Sequence, residues 1–143
     1  MRIVDANVLL HAVNEASPRH EAARTSLEAA LAGRETVGFA WLALLAFLRL
    51  STHPAVFPRP LEVRDAVDTI RDWLAQPPAV VVGPSGRHLE VLAGLLAETG
   101  TAASLVNDAH LAALAVEHDA VLVSFDADFV RFRGLRWEEP GRP

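Results

Sequence analysis

Apolar positions along the chain switch between short unbroken runs and a three-and-four spacing, and the switches mark out the elements. "RIVD" at Arg2 to Asp5 predicts a buried strand, and Leu9, Leu10 and Val13 continue as a helical face. Ser17 and Pro18 open a second helix, as N-cap and first helical residue, which runs to Gly33. Thr36 to Gly38 suits a second strand. A strongly apolar helix follows from Ala40 to about Ser51, closed by His53-Pro54. From Pro60 the positions Val63, Ala66, Val67, Ile70 and Leu74 define one buried face of another helix, ended by Pro77-Pro78. "AVVVG" at Ala79 to Gly83 is a third strand, and Ser85 or Gly86 begins a helix that stops at Gly100. Ala103 to His118 forms one more helix, Ala120 to Ser124 a fourth strand, and Glu138 to Pro143 reads as a frayed tail. Continuously apolar strands alternating with helices imply an α/β fold with a parallel sheet covered on both faces.

The length of 143 residues suits one domain spanning the whole chain, 1–143. Although 51% of residues are hydrophobic, the longest apolar run is "FAWLALLAFL" at Phe39 to Leu48, short of the ~20 residues of a membrane span. No membrane association is expected. Met1 leads directly into "RIVDANVLL" without the features of a signal peptide, so a cytoplasmic location is the expectation. Cysteine is absent, which excludes disulfides, thiolate metal sites and cysteine nucleophiles. Lysine is absent too, all 13 basic side chains being arginine. That counts against a phosphate-binding loop and against an aspartyl-phosphate enzyme built on Asp5. The net charge of −5 argues against a charge-driven nucleic-acid binder, yet allows an enzyme that holds nucleic acid briefly through a metal and a few arginines.

Ligands of such sheets bind at the carboxyl ends of the strands. Asp5 ends strand one and Asp126 follows strand four, so both face the same edge; Asp108, near the start of the preceding helix, can join them. Each has a plainer reading: Asp5 and Asp108 as helix-terminus residues, Asp126 and Asp128 as turn residues. Their joint placement carries the weight. Two ionised acids ~4 Å apart repel by roughly 4 kcal/mol at an effective dielectric of 20, so a cluster needs protonation, an arginine or a divalent cation. Hard oxygen donors suit Mg2+ or Mn2+, and such an ion can activate water and neutralise charge on a phosphodiester. The six histidines show no zinc spacing.

"RIVDANVLLHAV", "WLALLAFLRLSTHPAVF", "NDAHLAALAVEHDAVLVSFDADF" and "FRGLRW" together resemble the PIN domain, and within it the VapC ribonuclease toxins of bacterial toxin–antitoxin pairs. The resemblance covers essentially the whole chain. It implies a single PIN-like domain with a short central parallel sheet of about four to five strands, flanked by helices on both faces. It further implies a Mg2+- or Mn2+-dependent endoribonuclease, an RNA substrate, a cognate VapB-type antitoxin and a homodimer. The family's metal-binding acids fall on Asp5, Asp108 and Asp126, with Asp128 as a further candidate; Asn7 and Ser124 match supporting polar positions. The chain departs from the pattern at Phe47, where many PIN nucleases carry a glutamate. That departure motivates an alternative: a catalytically weakened PIN domain acting mainly as an antitoxin- or RNA-binding module, or one in which Asp128 compensates. Arg49 can contact a phosphate or pair with a site acid, and Arg131, Arg133 and Arg136 are candidate RNA-backbone contacts.

Overall fold

A computed structural model describes residues 1–142. The elements in chain order are β1 (Arg2–Val4), α1 (Ala6–Val13), α2 (His20–Ala32), β2 (Val37–Ala40), α3 (Trp41–Ser51), α4 (Val63–Leu74), β3 (Ala79–Val82), α5 (His88–Thr99), α6 (Val106–Glu117), β4 (Val121–Val123) and β5 (Arg136–Glu138). Short 3-10 turns cover Ala103–Leu105 and Ala127–Arg131. The strands form one parallel sheet in the order β3-β2-β1-β4-β5. The chain builds outward from β1 in one direction through β2 and β3, then returns to its other side through β4. The strand order therefore reverses between β1 and β4, the kind of crevice where open α/β sheets place ligands.

Strand alternation divides the core into two layers. Ile3, Val82 and Leu122 face α5 and α6, where they meet Leu95, Ala109 and Ala112. Val4, Val37, Phe39 and Val123 face the other way, onto Leu9, Leu27 and Leu44 of α1, α2 and α3. Small residues allow close approach: a Cβ on Gly38 would come within 2.9 Å of Val82 and 3.1 Å of Ile3, so the β1–β2–β3 layer needs glycine there. α6 is buried continuously from Leu111 to Ala115, its alanines combining high helix propensity with little bulk against the sheet. Among the described residues, no helix is long and apolar enough to cross a membrane.

Several boundaries differ from the sequence expectation for local reasons. The second helix starts at His20, because the Ser17 hydroxyl instead accepts from the Arg19 amide within a turn. The helix expected from Pro60 starts at Val63. The second strand runs two residues further, to Ala40, and the last long helix is preceded by a 3-10 turn. The tail is the larger correction. Glu138 belongs to β5, where its carbonyl accepts from the Ser124 amide, and Pro140 is buried. Gly141 lies so close to α2 that a Cβ would stand 3.0 Å from Ala22. The chain is thus packed through Gly141, while Pro143 lies outside the described residues.

Candidate active site at the carboxyl end of the sheet

Asp5 follows β1 directly and caps α1, with its Oδ1 accepting from the Ala6 amide at 2.6 Å. Its Oδ2 accepts from the Ser124 hydroxyl at 2.7 Å and from Asn7 Nδ2 at 2.8 Å. Helix capping and site chemistry, alternatives at the level of sequence, are compatible here: one oxygen serves the helix and the other the crevice network. Ser124 is fully buried and joins that network together. Its Oγ donates to Asp5 and accepts from Asn7 Nδ2 at 2.9 Å and from the Asp126 amide at 3.0 Å. Its carbonyl accepts from Trp137 Nε1, tying the strand end to β5. Asn7 Oδ1 accepts from the Phe125 amide, so Asn7 spans the ends of β1 and β4.

Asp108 lies in the first turn of α6, where the helix dipole favours an acid. With Asp5 it lines an open groove of about 680 Å³ whose far wall is the Leu42, Leu45, Ala46 and Arg49 face of α3 and Thr52 just beyond it. Asp126 stands outside that lining, but its charge is felt by both acids. Burial raises the Asp5 carboxyl above the ordinary range; the Ser124 and Ala6 hydrogen bonds pull it down, and the charges of Asp108 and Asp126 push it up again. Asp108 is likewise raised, first by burial and then by Asp126, with Arg131 opposing and Asp128 adding to the shift. The structure therefore brings Asp5, Asp108 and Asp126 into one electrostatic neighbourhood. Asp128 points outward, 71% exposed and ion-paired with Arg131 at 3.1 Å. Among the described residues, no group of three or more Asp, Glu or His side chains is arranged to hold a metal ion. The donor set still fits a hard divalent cation, because Mg2+ is commonly held by only one or two carboxylates, with waters and substrate phosphates completing its shell.

The arginines and Phe47 sort differently from the sequence expectation. Arg49 lines the groove. Arg131 sits near the acids but is paired with Asp128, and Arg133 is exposed without an ion pair among the described residues. Arg136 is at the opposite end of the sheet: it opposes Val121 at the start of β4 and binds Asp119 at 2.6 Å. β5 runs parallel to β4, so the chain returns to the amino end of the sheet before Arg136, which the spacing from Asp128 does not reveal. Phe47 is fully buried, its ring 4.9 Å from Trp73 on the core side of α3. An acid there would enter the core. The groove positions on the adjoining face of α3 are Leu42, Ala46 and Arg49. One further residue escaped the sequence reading. Arg19 lies over the Phe125 ring, 5.0 Å from its centroid, a contact between distant segments that no local pattern announces.

A parallel five-stranded sheet with acids gathered at its switch point defines a class, and comparison with known proteins agrees. The PIN domain model matches residues 2–135. Ribonuclease VapC37 of Mycobacterium tuberculosis is 56% identical over 140 residues, covering 98% of this chain and 97% of the relative. Ribonuclease VapC33 of the same species is 39% identical over 142 residues, covering 99% of each. Among solved structures, the VapBC2 complex of Rickettsia felis, bound to a promoter DNA fragment, superposes with a TM-score of 0.72 at 17% identity, over 97% of this chain and 98% of that one. VapC20 of M. tuberculosis, described as a sarcin-ricin loop cleaving toxin, gives a TM-score of 0.67 at 18% identity, over 95% and 99%. The chain belongs to the PIN domain family, on its VapC branch.

Proposed function

We propose that this protein is a divalent-metal-dependent endoribonuclease, the toxin of a toxin–antitoxin pair, neutralised by a VapB-type antitoxin. The observation that carries the reading is the convergence of Asp5, Asp108 and Asp126 on the β1–β4 switch point, two of them with carboxyls raised by burial and, in smaller part, by neighbouring aspartates. Asp5 and Asp108 would hold Mg2+ or Mn2+, with Asp126 beside them. When bound, such an ion lowers the pKa of a water and offsets charge on the phosphate. Ser124 and Asn7 fix the direction of the Asp5 carboxylate, and supporting bonds of this kind typically tune a metal site. Arg49 lies across the groove from the acids, where it would bind a backbone phosphate. Trp41 and Leu45 of α3, each 56% exposed, supply apolar surface that an antitoxin or a second copy would cover. The structural relatives in VapBC complexes support the partner.

The alternative, a catalytically weakened domain, keeps its motive in another form: Phe47 faces the core, and the α3 residues that line the groove, among them Leu42, Ala46 and Arg49, include no acid, so the site rests on the three aspartates. Asp5→Asn and Asp108→Asn test the enzyme directly. With Mg2+ or Mn2+ and a panel of purified transfer, ribosomal and messenger RNAs, each should lose more than the roughly 100-fold typical of removing an outer partner of a metal site, while its circular dichroism is unchanged. Equal cleavage by wild type and both variants, or none by wild type under either ion, would overturn the proposal.

A further inference from the structure

Six of the 13 arginines have their charge answered among the described residues. Arg2, Arg24, Arg71, Arg131, Arg136 and Arg142 each form an ion pair with a glutamate or aspartate. Arg131, which sequence position places beside the acidic turn, is among them. Arg19 differs from these. It is exposed, makes no ion pair among the described residues, and is held over an aromatic ring at 5.0 Å. That ring, Phe125, is 7% exposed and is itself braced by the edge of His11 at 5.3 Å. A guanidinium fixed on an aromatic face keeps its charge and its five N–H donors, and less side-chain freedom remains to be lost when it binds.

Position gives this arrangement its meaning. Phe125 is bonded through its amide to Asn7, and Asn7 donates to Asp5. Asp5 opens on its other side to the groove that contains Arg49. Near the acids, two arginines without an ion pair among the described residues are thus fixed by different contacts: Arg49 lines the groove wall, and Arg19 is seated on the residue that precedes Asp126.

We infer that Arg19, seated on Phe125, binds a backbone phosphate of the RNA strand, so that the strand crosses the acids between Arg49 and Arg19. This rests on the ribonuclease reading and names a substrate contact for it. Arginine suits the role because its planar fork can bind a phosphate with two donors while stacked.

The test is fluorescence anisotropy with a fluorescein-labelled, mixed-sequence single-stranded RNA oligonucleotide and Mg2+ across a salt series. The parent is Asp108→Asn, so that the strand stays intact. Adding Arg19→Ala should weaken binding by about tenfold and reduce the slope of log affinity against log salt by about 0.7, the value for one phosphate on a single strand. Arg19→Lys should keep the slope and lose part of the affinity. Arg34→Ala, which removes the same charge near the opposite end of the sheet, should change neither appreciably. If Arg19→Ala and Arg34→Ala behave alike, or the parent does not bind the RNA, the inference is wrong. Cleavage by the wild-type protein is scored separately: cleavage with no Arg19 effect rejects only this contact, and an Arg19 effect without cleavage rejects only the nuclease.

Discussion

The two ends of the sheet treat charge in opposite ways. At the amino end, the Met1 ammonium and Arg2 bind Glu35, Arg2 also reaches Glu138, and Arg136 binds Asp119. At the carboxyl end, Asp5 lies in the field of Asp108 and Asp126, and Asp108 in that of Asp126 and Asp128, where the partly committed Arg131 opposes it. Exposed ion pairs of the first kind contribute little each and relieve local charge. An uncompensated acidic cluster costs stability, and a fold keeps one where a ligand is expected to balance it. Here the strained charge coincides with the switch point, where topology alone would place a ligand.

The largest test of that contrast concerns where α3 can accept another acid. Phe47→Glu would place a carboxyl in the layer with Trp73, losing at least the 3–5 kcal/mol typical of a large-to-small core change, because the buried acid must also be protonated or solvated. Ala46→Glu, on the groove face, should leave the midpoint of thermal unfolding close to wild type at acidic pH and add negative charge to the polar end. Thermal unfolding of both variants decides it. A stable Phe47→Glu protein would mean that α3 presents the other face to the groove.

Ser124→Ala should have an intermediate effect. The change removes the donor to Asp5 and the acceptor for Asn7 and the Asp126 amide, leaving partly buried groups unpaired at a cost of about 1–3 kcal/mol. Because the hydroxyl orients Asp5, RNA cleavage should fall roughly 10–100-fold. Loss of stability with full cleavage would show that the hydroxyl serves the strand ends alone.

How far the sequence carries depends on whether a feature is local. β1, β3 and β4 announce themselves as apolar runs, and Asp5 and Asp126 follow from where two of those runs end. Ser124 as a candidate was visible from its place before the acidic turn; that it joins four groups was not, because its partners come from β1, α1 and β5. β5 was hidden because "RWE" has neither length nor apolar continuity, and only pairing with β4 makes it a strand. That Phe47 faces the core depends on the rotation of α3 about its axis, which the letters of "LAFLRL" do not display. Arg19 could not be found from sequence, since its meaning lies in a contact with Phe125 across the fold.

The smallest effect, and the one that probes both ends at once, is the dependence of stability on pH. The Asp108 carboxyl is raised in the fold, chiefly by burial, above its unfolded value of about 3.9. Its contribution to stability is therefore fully present below that value and is lost as pH rises through the raised pKa. Glu35 is lowered, first by its hydrogen bond to the N-terminal ammonium; its contribution is present above an unfolded value of about 4.3 and is lost as pH falls through the lowered pKa. Without divalent ions, the melting temperature of Asp108→Asn minus that of wild type should grow from pH 3.5 to pH 7. For Glu35→Gln the difference should be negative at pH 7 and shrink toward zero on acidification. Adding Mn2+ at pH 7 should raise the wild-type midpoint, by about 2.7 kcal/mol of stability at a hundredfold excess over Kd, and should raise that of Asp108→Asn much less. Differences of the same sign at both ends, or equal Mn2+ responses, would show that the carboxyl end is no more charge-strained than the amino end, and the acids would then have no cation to wait for.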